Sequence, residues 1–127
     1  MALVQVRAVL FLVFKHLFKK KQYLSDSFCR YYSGDVFQNH VDTCYHESEC
    51  VRSFYTVNIY LNDGFTDGKT RFFDDDNRMT CSVQPAPGLA LIFAQPALRF
   101  YAHDGERVAD GTKYLIRSDV MYRRVDQ

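Results

Sequence analysis

From residue 28 onward, short runs of apolar and aromatic residues alternate with breaks that are rich in Gly, Asp, Asn and Pro. This pattern is typical of all-β sandwiches and barrels, in which short strands are joined by turns. The predicted strands are Cys29–Tyr32, Phe37–Asp42, Phe54–Leu61, Thr70–Phe73, Met79–Gln84, Leu89–Phe93, Leu98–His103 and Lys113–Tyr122. Eight strands suit a double-stranded β-helix, so the predicted fold is mainly β, a cupin-like jelly roll.

The first 26 residues follow a different pattern. Their apolar positions approximate a helical stripe, formed by Leu3, Val6, Leu10, Val13, Phe14 and Leu17. We therefore predict an N-terminal helical segment over residues 1–26, packed on the outside of a β domain over residues 27–127. The apolar run lacks the flanks of a secretory signal and is too short to span a bilayer. A second interpretation is peripheral membrane contact through residues 1–22, which are both apolar and basic.

Length and charge narrow the function classes. A chain of 127 residues, 47% of them hydrophobic, is long enough for one domain with its own core. The 16 basic and 15 acidic residues leave a net charge of +1, so no overall field favours nucleic acid as a partner. The four cysteines include no C-x-x-C pair, which argues against a zinc ribbon or a thioredoxin-type centre. We expect a reducing, cytoplasmic location and no transmembrane span.

The candidate chemistry lies in His40, Asp42, His103 and Lys113. Alternate side chains of a strand point to the same face, so His40 and Asp42 could bind one metal ion together. Two histidines and one carboxylate, with the opposite positions open, form the ligand set of non-haem Fe(II) oxygenases. Lys113, ten residues after His103, would provide a cation near the metal for an acidic co-substrate.

Further short motifs surround these residues. They are Tyr31, Gly34 and Phe37 before His40, then Tyr60-Leu61-Asn62, and then Gly68-Lys69-Thr70-Arg71-Phe72. In this order, and followed by the second His and its Lys, they resemble the prolyl 4-hydroxylase-like branch of the 2-oxoglutarate- and Fe(II)-dependent dioxygenases. The resemblance covers roughly residues 29–124, and the ordered combination is more specific than any one motif.

The resemblance implies a function and a set of site residues. His40, Asp42 and His103 would hold Fe(II), to which 2-oxoglutarate and dioxygen would bind, and ascorbate is a candidate reductant. A substrate C–H bond would be hydroxylated, with release of succinate and CO2. Lys113 would bind the distal carboxylate of 2-oxoglutarate, Tyr60 would donate a hydrogen bond to it, and Tyr31 is a further candidate. The leading substrate is a prolyl or other peptide side chain, and a small molecule is the alternative.

Two charged residues share the predicted inward face of Lys113 on the last strand, namely Arg117 and Asp119. Because charged side chains rarely face a core unpaired, we expect them either to pair with each other at the pocket rim or to bind substrate. A bulge near the strand end would instead turn them to solvent.

Two other functions are compatible with the sequence. One is a dioxygenase-like binding or regulatory module, shortened at its N-terminus and catalytically weak. The other is a cupin-like metal protein that performs hydrolysis or isomerisation, in which Lys113 would have no special reason for its position.

Overall fold

The computed structural model describes residues 4–7 and 27–124, and within these ranges every regular element is a β-strand. The strands are β1 (Val4–Arg7), β2 (Ser27–Tyr32), β3 (Phe37–His40), β4 (His46–Ser48), β5 (Val51–Tyr60), β6 (Thr66–Asp67), β7 (Thr70–Phe73), β8 (Met79–Val83), β9 (Leu89–Ala94), β10 (Ala102–Gly105), β11 (Val108–Asp110) and β12 (Thr112–Arg123).

The strands form two main sheets and one short ribbon. The larger sheet has the order β1-β9-β5-β12-β2, with β4 also paired to β5. The smaller sheet has the order β3-β10-β7-β8, and β11 pairs with β6. All of these pairings are antiparallel. The long strands β5 and β12 pair from Leu115 opposite Tyr60 to Arg123 opposite Val51, and they form the centre of the larger sheet.

The hydrophobic core lies between the two main sheets. Its buried members are Tyr60, Phe72, Val83, Leu89, Leu91, Phe93 and Leu115, which come from strands of both sheets. Alternation along β12 explains this arrangement, because Lys113 and Leu115 are buried while Tyr114 and Ile116 are only partly so. Burial of each large side chain contributes about 1.5–3 kcal/mol of transfer free energy. The predicted jelly-roll fold is confirmed.

Each of the eight predicted strands has a counterpart, although several ends differ. The largest shift concerns the strand predicted at Leu98–His103, which begins at Ala102. The N–H groups of Leu98 and Arg99 both donate to the carbonyl of Gln95, so this stretch starts as a turn. Asp42, predicted at the end of a strand, lies two residues beyond the end of β3.

The N-terminal segment departs from its prediction where the structure describes it. Residues Val4–Arg7 form a strand that pairs with β9, not the start of a helix. Its apolar and polar residues alternate with the period of a strand, and valine is β-branched, which favours this choice. The rest of the predicted helix, and most of the predicted membrane-contact segment, lie outside the described residues. In the part of the chain that is described, no helix has the length and apolar character needed to cross a membrane.

Candidate metal and co-substrate site

Strand pairing brings the two histidines together. β3 ends at His40, and β10 places His103 directly opposite it in the antiparallel register. The two imidazole rings are 4.3 Å apart between centroids. Asp42 follows His40 closely enough that its Oδ1 lies 3.2 Å from Nε2 of His40 and 3.7 Å from Nε2 of His103. One ligand atom from each of the three residues therefore lies within 4.8 Å of the other two.

The orientation of both rings is fixed by backbone carbonyls. Nδ1 of His40 is 2.7 Å from the carbonyl oxygen of Gln38, and Nδ1 of His103 is 2.9 Å from that of Tyr101. A carbonyl can only accept, so each Nδ1 carries the proton and donates it. Each Nε2 is then directed at the shared point and is the atom that would bind a metal, which is the usual arrangement of a metal-binding histidine.

The second carboxylate oxygen of Asp42 has partners of its own. Oδ2 accepts a 2.6 Å hydrogen bond from Thr56 Oγ1 and lies 3.4 Å from Nη2 of Arg117. Burial would raise the pKa of Asp42, but the hydrogen bonds from His40 and Thr56 and the charge of Arg117 outweigh it and hold the pKa well below its usual value. Asp42 is therefore an anion, as a metal ligand must be.

The two histidines have different electrostatic surroundings. The hydrogen bond with Asp42 raises the pKa of His40 above its usual value. Burial lowers the pKa of His103, whose ring contacts those of Phe93 and Phe72 at centroid distances of 4.7 and 5.6 Å. His103 is thus already held in the neutral form that binds metals.

The chemistry of this donor set fits Fe(II). Two imidazole nitrogens and one carboxylate oxygen converge, and the set includes no thiolate that would select a softer metal. The strand pairing that sets His40 opposite His103, and the hydrogen bonds to Asp42, involve only groups of the protein. Little rearrangement would therefore be needed to bind an ion.

The three residues line a cavity of about 250 Å³ between the sheets. Its wall also includes Ser27, Cys29, Tyr31, Phe37, Asn58, Thr70, Asp104, Gly105, Lys113, Leu115 and Arg117. The cavity thus connects the predicted metal ligands with the predicted co-substrate cation, as the sequence spacing indicated.

Lys113 is a buried cation in this cavity. Its Nζ donates a 2.7 Å hydrogen bond to the carbonyl of Gly68 and lies 5.2 Å from the ring centroid of Tyr31, the residue opposite it on β2. Burial lowers the pKa of Lys113 to about 8, although Glu106 and Asp104 oppose the shift. A buried ammonium with one neutral acceptor remains able to bind a carboxylate.

The two predicted tyrosines occupy different positions. Tyr31 lines the cavity, and burial raises the pKa of its hydroxyl to about 12, so the hydroxyl is neutral. Tyr60 is fully buried, and its hydroxyl is 2.6 Å from Oγ1 of Thr70. Among the described residues, Thr70 belongs to the cavity wall and Tyr60 does not. Thr70 thus links the Tyr60 hydroxyl to the cavity wall, and the ring centroid of Tyr60 lies 6.0 Å from Nζ of Lys113.

Arg117 and Asp119 lie as one of the sequence alternatives predicted, paired with each other. Nη1 of Arg117 is 3.4 Å from Oδ2 of Asp119. The bulge of β12 falls between Val120 and Met121, beyond both residues, so it does not turn them outward. Arg117 faces the cavity, whereas Asp119 is 5% exposed and lies behind the cavity wall.

Sequence reasoning missed a group of buried polar residues behind the site. Thr56, Gln95 and Ser53 are all fully buried and are joined by hydrogen bonds. The period of β5 places Thr56 on the same face as Tyr60, which was the only available signal for it. Gln95 follows β9 at a turn and belongs to no motif, so its role depends on tertiary structure.

Two curled antiparallel sheets around a His-Asp-His cluster and a buried lysine define the jelly-roll class of metal-dependent oxygenases. Residues 27–118 match the family model described as the 2OG-Fe(II) oxygenase superfamily, and the chain belongs to this family. No curated protein sequence matches the chain significantly.

Solved structures share the fold at low sequence identity. A prolyl-4-hydroxylase from Pseudomonas putida aligns with a TM-score of 0.60 and 19% identity, over 91% of this chain and 60% of that one. An oxidoreductase of the 2OG-Fe(II) oxygenase family from Burkholderia pseudomallei aligns with a TM-score of 0.61 and 14% identity, over 80% and 44%. A viral collagen prolyl hydroxylase from Paramecium Bursaria Chlorella virus-1, in its 2OG complex, aligns with a TM-score of 0.53 and 21% identity, over 84% and 62%. The chain spans less than two thirds of the length of each.

Proposed function

We propose that residues 27–127 form a 2-oxoglutarate- and Fe(II)-dependent dioxygenase that hydroxylates a substrate C–H bond and releases succinate and CO2. The observation that carries this proposal is the convergence of His40, Asp42 and His103 in the same cavity as the buried Lys113. A metal site alone would fit many reactions. A buried cation in the same cavity, which forms no ion pair with a carboxylate of the described residues, favours an acidic co-substrate.

His40, Asp42 and His103 would hold the iron. When bound, the metal would supply the activation of dioxygen that is coupled to decarboxylation of 2-oxoglutarate. The side chains themselves provide two imidazoles and one anion in fixed orientations, because each Nδ1–H is bound to a carbonyl and Asp42 to Thr56. Positioning of this kind saves the entropy of assembling the ligands at each turnover.

Lys113 would bind the distal carboxylate of 2-oxoglutarate. The Tyr31 ring and the Thr70 hydroxyl lie on the same cavity wall, and Tyr60 supports this group through its hydrogen bond with Thr70. A charge-assisted contact of this type contributes about 1.5–3 kcal/mol. Loss of Lys113 should therefore raise the 2-oxoglutarate requirement by about ten- to a hundredfold.

Arg117 is the residue that we propose to contact substrate, at the metal-binding part of the cavity. Its Nη1 and Nη2 atoms face Asp119 and Asp42, and with five N–H donors a guanidinium retains others for a substrate carbonyl or carboxylate. Asp119 would hold Arg117 in place and not contact the substrate itself. The sequence resemblance and the prolyl hydroxylases that share this fold favour a prolyl or other peptide side chain as the substrate.

Succinate release tests the proposal. The protein would be incubated with Fe(II), 2-oxoglutarate and ascorbate as reductant, with and without panels of proline-containing peptides, other peptides and small molecules. We expect metal-dependent succinate release that a substrate stimulates, and loss of release in His40→Ala, Asp42→Ala and His103→Ala.

Other outcomes would select the alternatives. Binding of 2-oxoglutarate without succinate release, in any substrate panel, would contradict the enzyme and indicate a binding or regulatory module. Metal-dependent chemistry that ignores 2-oxoglutarate would indicate a cupin-like hydrolase or isomerase.

A further inference from the structure

We propose that Gln95 is a positioning residue for Asp42 and acts on it through the hydroxyl group of Thr56. The inference rests on the proposed function only in that Asp42 is a metal ligand. It assigns a role to a residue that contacts neither the metal ligands nor the cavity directly.

A chain of hydrogen bonds leads from the backbone to Asp42, and its direction is determined at every step. The N–H of Tyr45 donates to Ser53 Oγ at 2.7 Å, and Ser53 Oγ donates to Gln95 Oε1 at 2.5 Å. Gln95 Nε2 donates to Thr56 Oγ1 at 3.1 Å, and Thr56 Oγ1 donates to Asp42 Oδ2 at 2.6 Å.

The direction follows from which groups can only donate. A backbone N–H has no acceptor capacity, so the hydroxyl of Ser53 must accept from it and is free to donate its own proton to Gln95. This contact identifies the oxygen of the Gln95 amide and directs the NH2 group at Thr56. An NH2 group also only donates, so Thr56 accepts from it and points its proton at Asp42.

Gln95 has no remaining freedom to adopt the flipped orientation. Its side chain is fully buried, its oxygen accepts from Ser53, and its second N–H donates to Asp119 Oδ1 at 2.6 Å. Turning the amide over would place its oxygen against the carboxylate oxygen of Asp119, and Thr56 would have to turn its proton from Asp42 to the amide oxygen. The mismatch at Asp119 costs about 1–3 kcal/mol.

The consequence for Asp42 is that its two oxygens have different roles. Oδ2 is held by the Thr56 proton and by the guanidinium of Arg117. Oδ1 is left beside the Nε2 atoms of His40 and His103. Gln95 supports both contacts of Oδ2, since it also binds Asp119, which pairs with Arg117. The network therefore favours metal binding through Oδ1 alone.

Calorimetric titration with Mn(II) alone, without 2-oxoglutarate, tests this role apart from enzyme activity. The variants are Gln95→Met, Thr56→Val and Thr56→Ser. Removing a partner that orients a metal ligand typically weakens metal affinity by about 10- to 100-fold. We expect a loss in this range for Gln95→Met and Thr56→Val, and affinity within about threefold of wild type for Thr56→Ser, which retains the hydroxyl.

Ser53→Ala provides a milder variant. It removes the hydrogen bond to Gln95 Oε1 together with the one that the Tyr45 N–H donates to Ser53, and the Ser53 hydroxyl is linked to the Asp42 carboxylate only through Gln95 and Thr56 in this chain of bonds. We expect it to weaken Mn(II) binding by several fold. Thr80→Val is the matched control: it also removes a threonine hydroxyl that donates a hydrogen bond, here to the carbonyl of Phe72, and Thr80 does not line the cavity among the described residues, so its Mn(II) affinity should remain that of wild type.

The outcomes separate this inference from the proposed function. Wild-type affinity for Mn(II) in Gln95→Met, or in Ser53→Ala should Gln95→Met not fold, would overturn the role of Gln95 and leave the metal site intact. An equal loss in Thr80→Val would also overturn it, since the effect would then be general destabilisation. Failure of the wild-type protein to bind Mn(II) would refute the proposed metal site itself.

Discussion

At the scale of single residues, the burial of Lys113 lowers the free energy of unfolding but serves the function that we propose for this residue. Its ammonium group is buried, with the carbonyl of Gly68 as its hydrogen-bond partner, and burial lowers its pKa to about 8. A group that binds an anion in a dry cavity must itself be desolvated before the anion arrives. The free energy lost in burying it is the cost of a prepared co-substrate site.

The pKa of Lys113 predicts a pH dependence of co-substrate binding. Below pH 8 the side chain is charged and attracts a carboxylate, and above pH 8 a growing fraction of the protein carries a neutral amine. The affinity for 2-oxoglutarate in the presence of Mn(II) should thus fall by up to about tenfold for each pH unit above 8. Calorimetry at pH 7, 8 and 9 measures this.

Lys113→Arg is the control for this prediction. An arginine remains charged throughout the range, so whatever its absolute affinity, its dependence on pH between 8 and 9 should be much weaker. A wild-type affinity that changes with pH no more than that of Lys113→Arg would contradict the role given to Lys113.

The same pKa predicts an effect on folding stability. The folded-state value of about 8 lies below the ordinary value of 10.5, so the unfolded chain binds this proton more tightly. The contribution of Lys113 therefore lowers the free energy of unfolding below pH 8, and this cost is relieved as the pH rises from 8 to 10.5. Replacement by an apolar side chain removes the cost.

We expect Lys113→Met to raise the free energy of unfolding at pH 7 by about 1–2 kcal/mol, after part of the gain is lost at the unpaired carbonyl of Gly68. Urea denaturation at pH 7 and pH 10 measures it, and the gain should be smaller at pH 10. A free energy of unfolding that is lower in Lys113→Met than in the wild type at pH 7 would show that the charged Lys113 stabilises the fold.

Residues of the site were predictable from sequence to different degrees. The motif spacing was sufficient to predict that His40, Asp42, His103 and Lys113 come together, although Asp42 lies two residues beyond β3 and not in a strand. The contact of Tyr60 with the co-substrate stays a prediction, since strand period gives only the face of a side chain and the structure gives the hydroxyl of Tyr60 a bond to Thr70, which lines the cavity. Gln95 could not be predicted, since its partners come from separate parts of the chain.

At the scale of elements, β12 contributes three of the side chains that line the cavity. Its inward face presents Lys113, Leu115 and Arg117 to the cavity. Lys113 and Arg117 are four residues apart, which corresponds to about 13 Å along an extended strand. The pairing register of β12 with β5 and β2 therefore sets the positions of Lys113, the proposed co-substrate cation, and of Arg117, which lies beside Asp42.

Gly111, immediately before β12, should be needed for that register. Its φ is +84°, and a Cβ at this position would lie 2.7 Å from the carbonyl oxygen of Gly64 and 2.9 Å from Cα of Phe65. Gly111→Ala should therefore lower the free energy of unfolding by about 2–4 kcal/mol, from the left-handed backbone and the backbone overlap together. Urea denaturation measures the change.

Gly88 offers a matched comparison. Its φ is +77°, but nothing lies within 4 Å of an added Cβ, so Gly88→Ala should cost only the conformational term of about 1–2 kcal/mol. If the two substitutions lower the free energy of unfolding equally, the close approach of Gly111 to Gly64 would have no energetic role.

From residue 27 onward, the pattern of hydrophobic residues predicted every described strand of four or more residues and missed β4, β6 and β11, which are shorter. β5 and β12 have 10 and 12 residues, enough for alternation to be visible. β6 and β11 have two and three residues, too few for a period, and they depend on pairing with each other. The strand expected from Leu98 starts later because Leu98 and Arg99 are bonded into a turn with Gln95, a contact that hydrophobicity does not reveal.

At the scale of the whole molecule, the two sheets contribute different parts of one site. The smaller sheet supplies His40 and His103, and the larger sheet supplies Lys113 and the side chains that hold Asp42. The cavity lies where the two meet. A metal and 2-oxoglutarate bound there would each reinforce the binding of the other, because on our proposal 2-oxoglutarate would be a ligand of the metal and the same cavity would hold both.

Calorimetric titration of 2-oxoglutarate, with and without saturating Mn(II), tests this central claim most directly. We predict that Mn(II) strengthens 2-oxoglutarate binding at least tenfold in the wild-type protein, that Asp42→Ala removes the enhancement, and that Lys113→Met weakens binding in the presence of the metal by about ten- to a hundredfold. An affinity for 2-oxoglutarate that is the same with and without Mn(II), or that Lys113→Met does not change, would contradict a shared metal and co-substrate site.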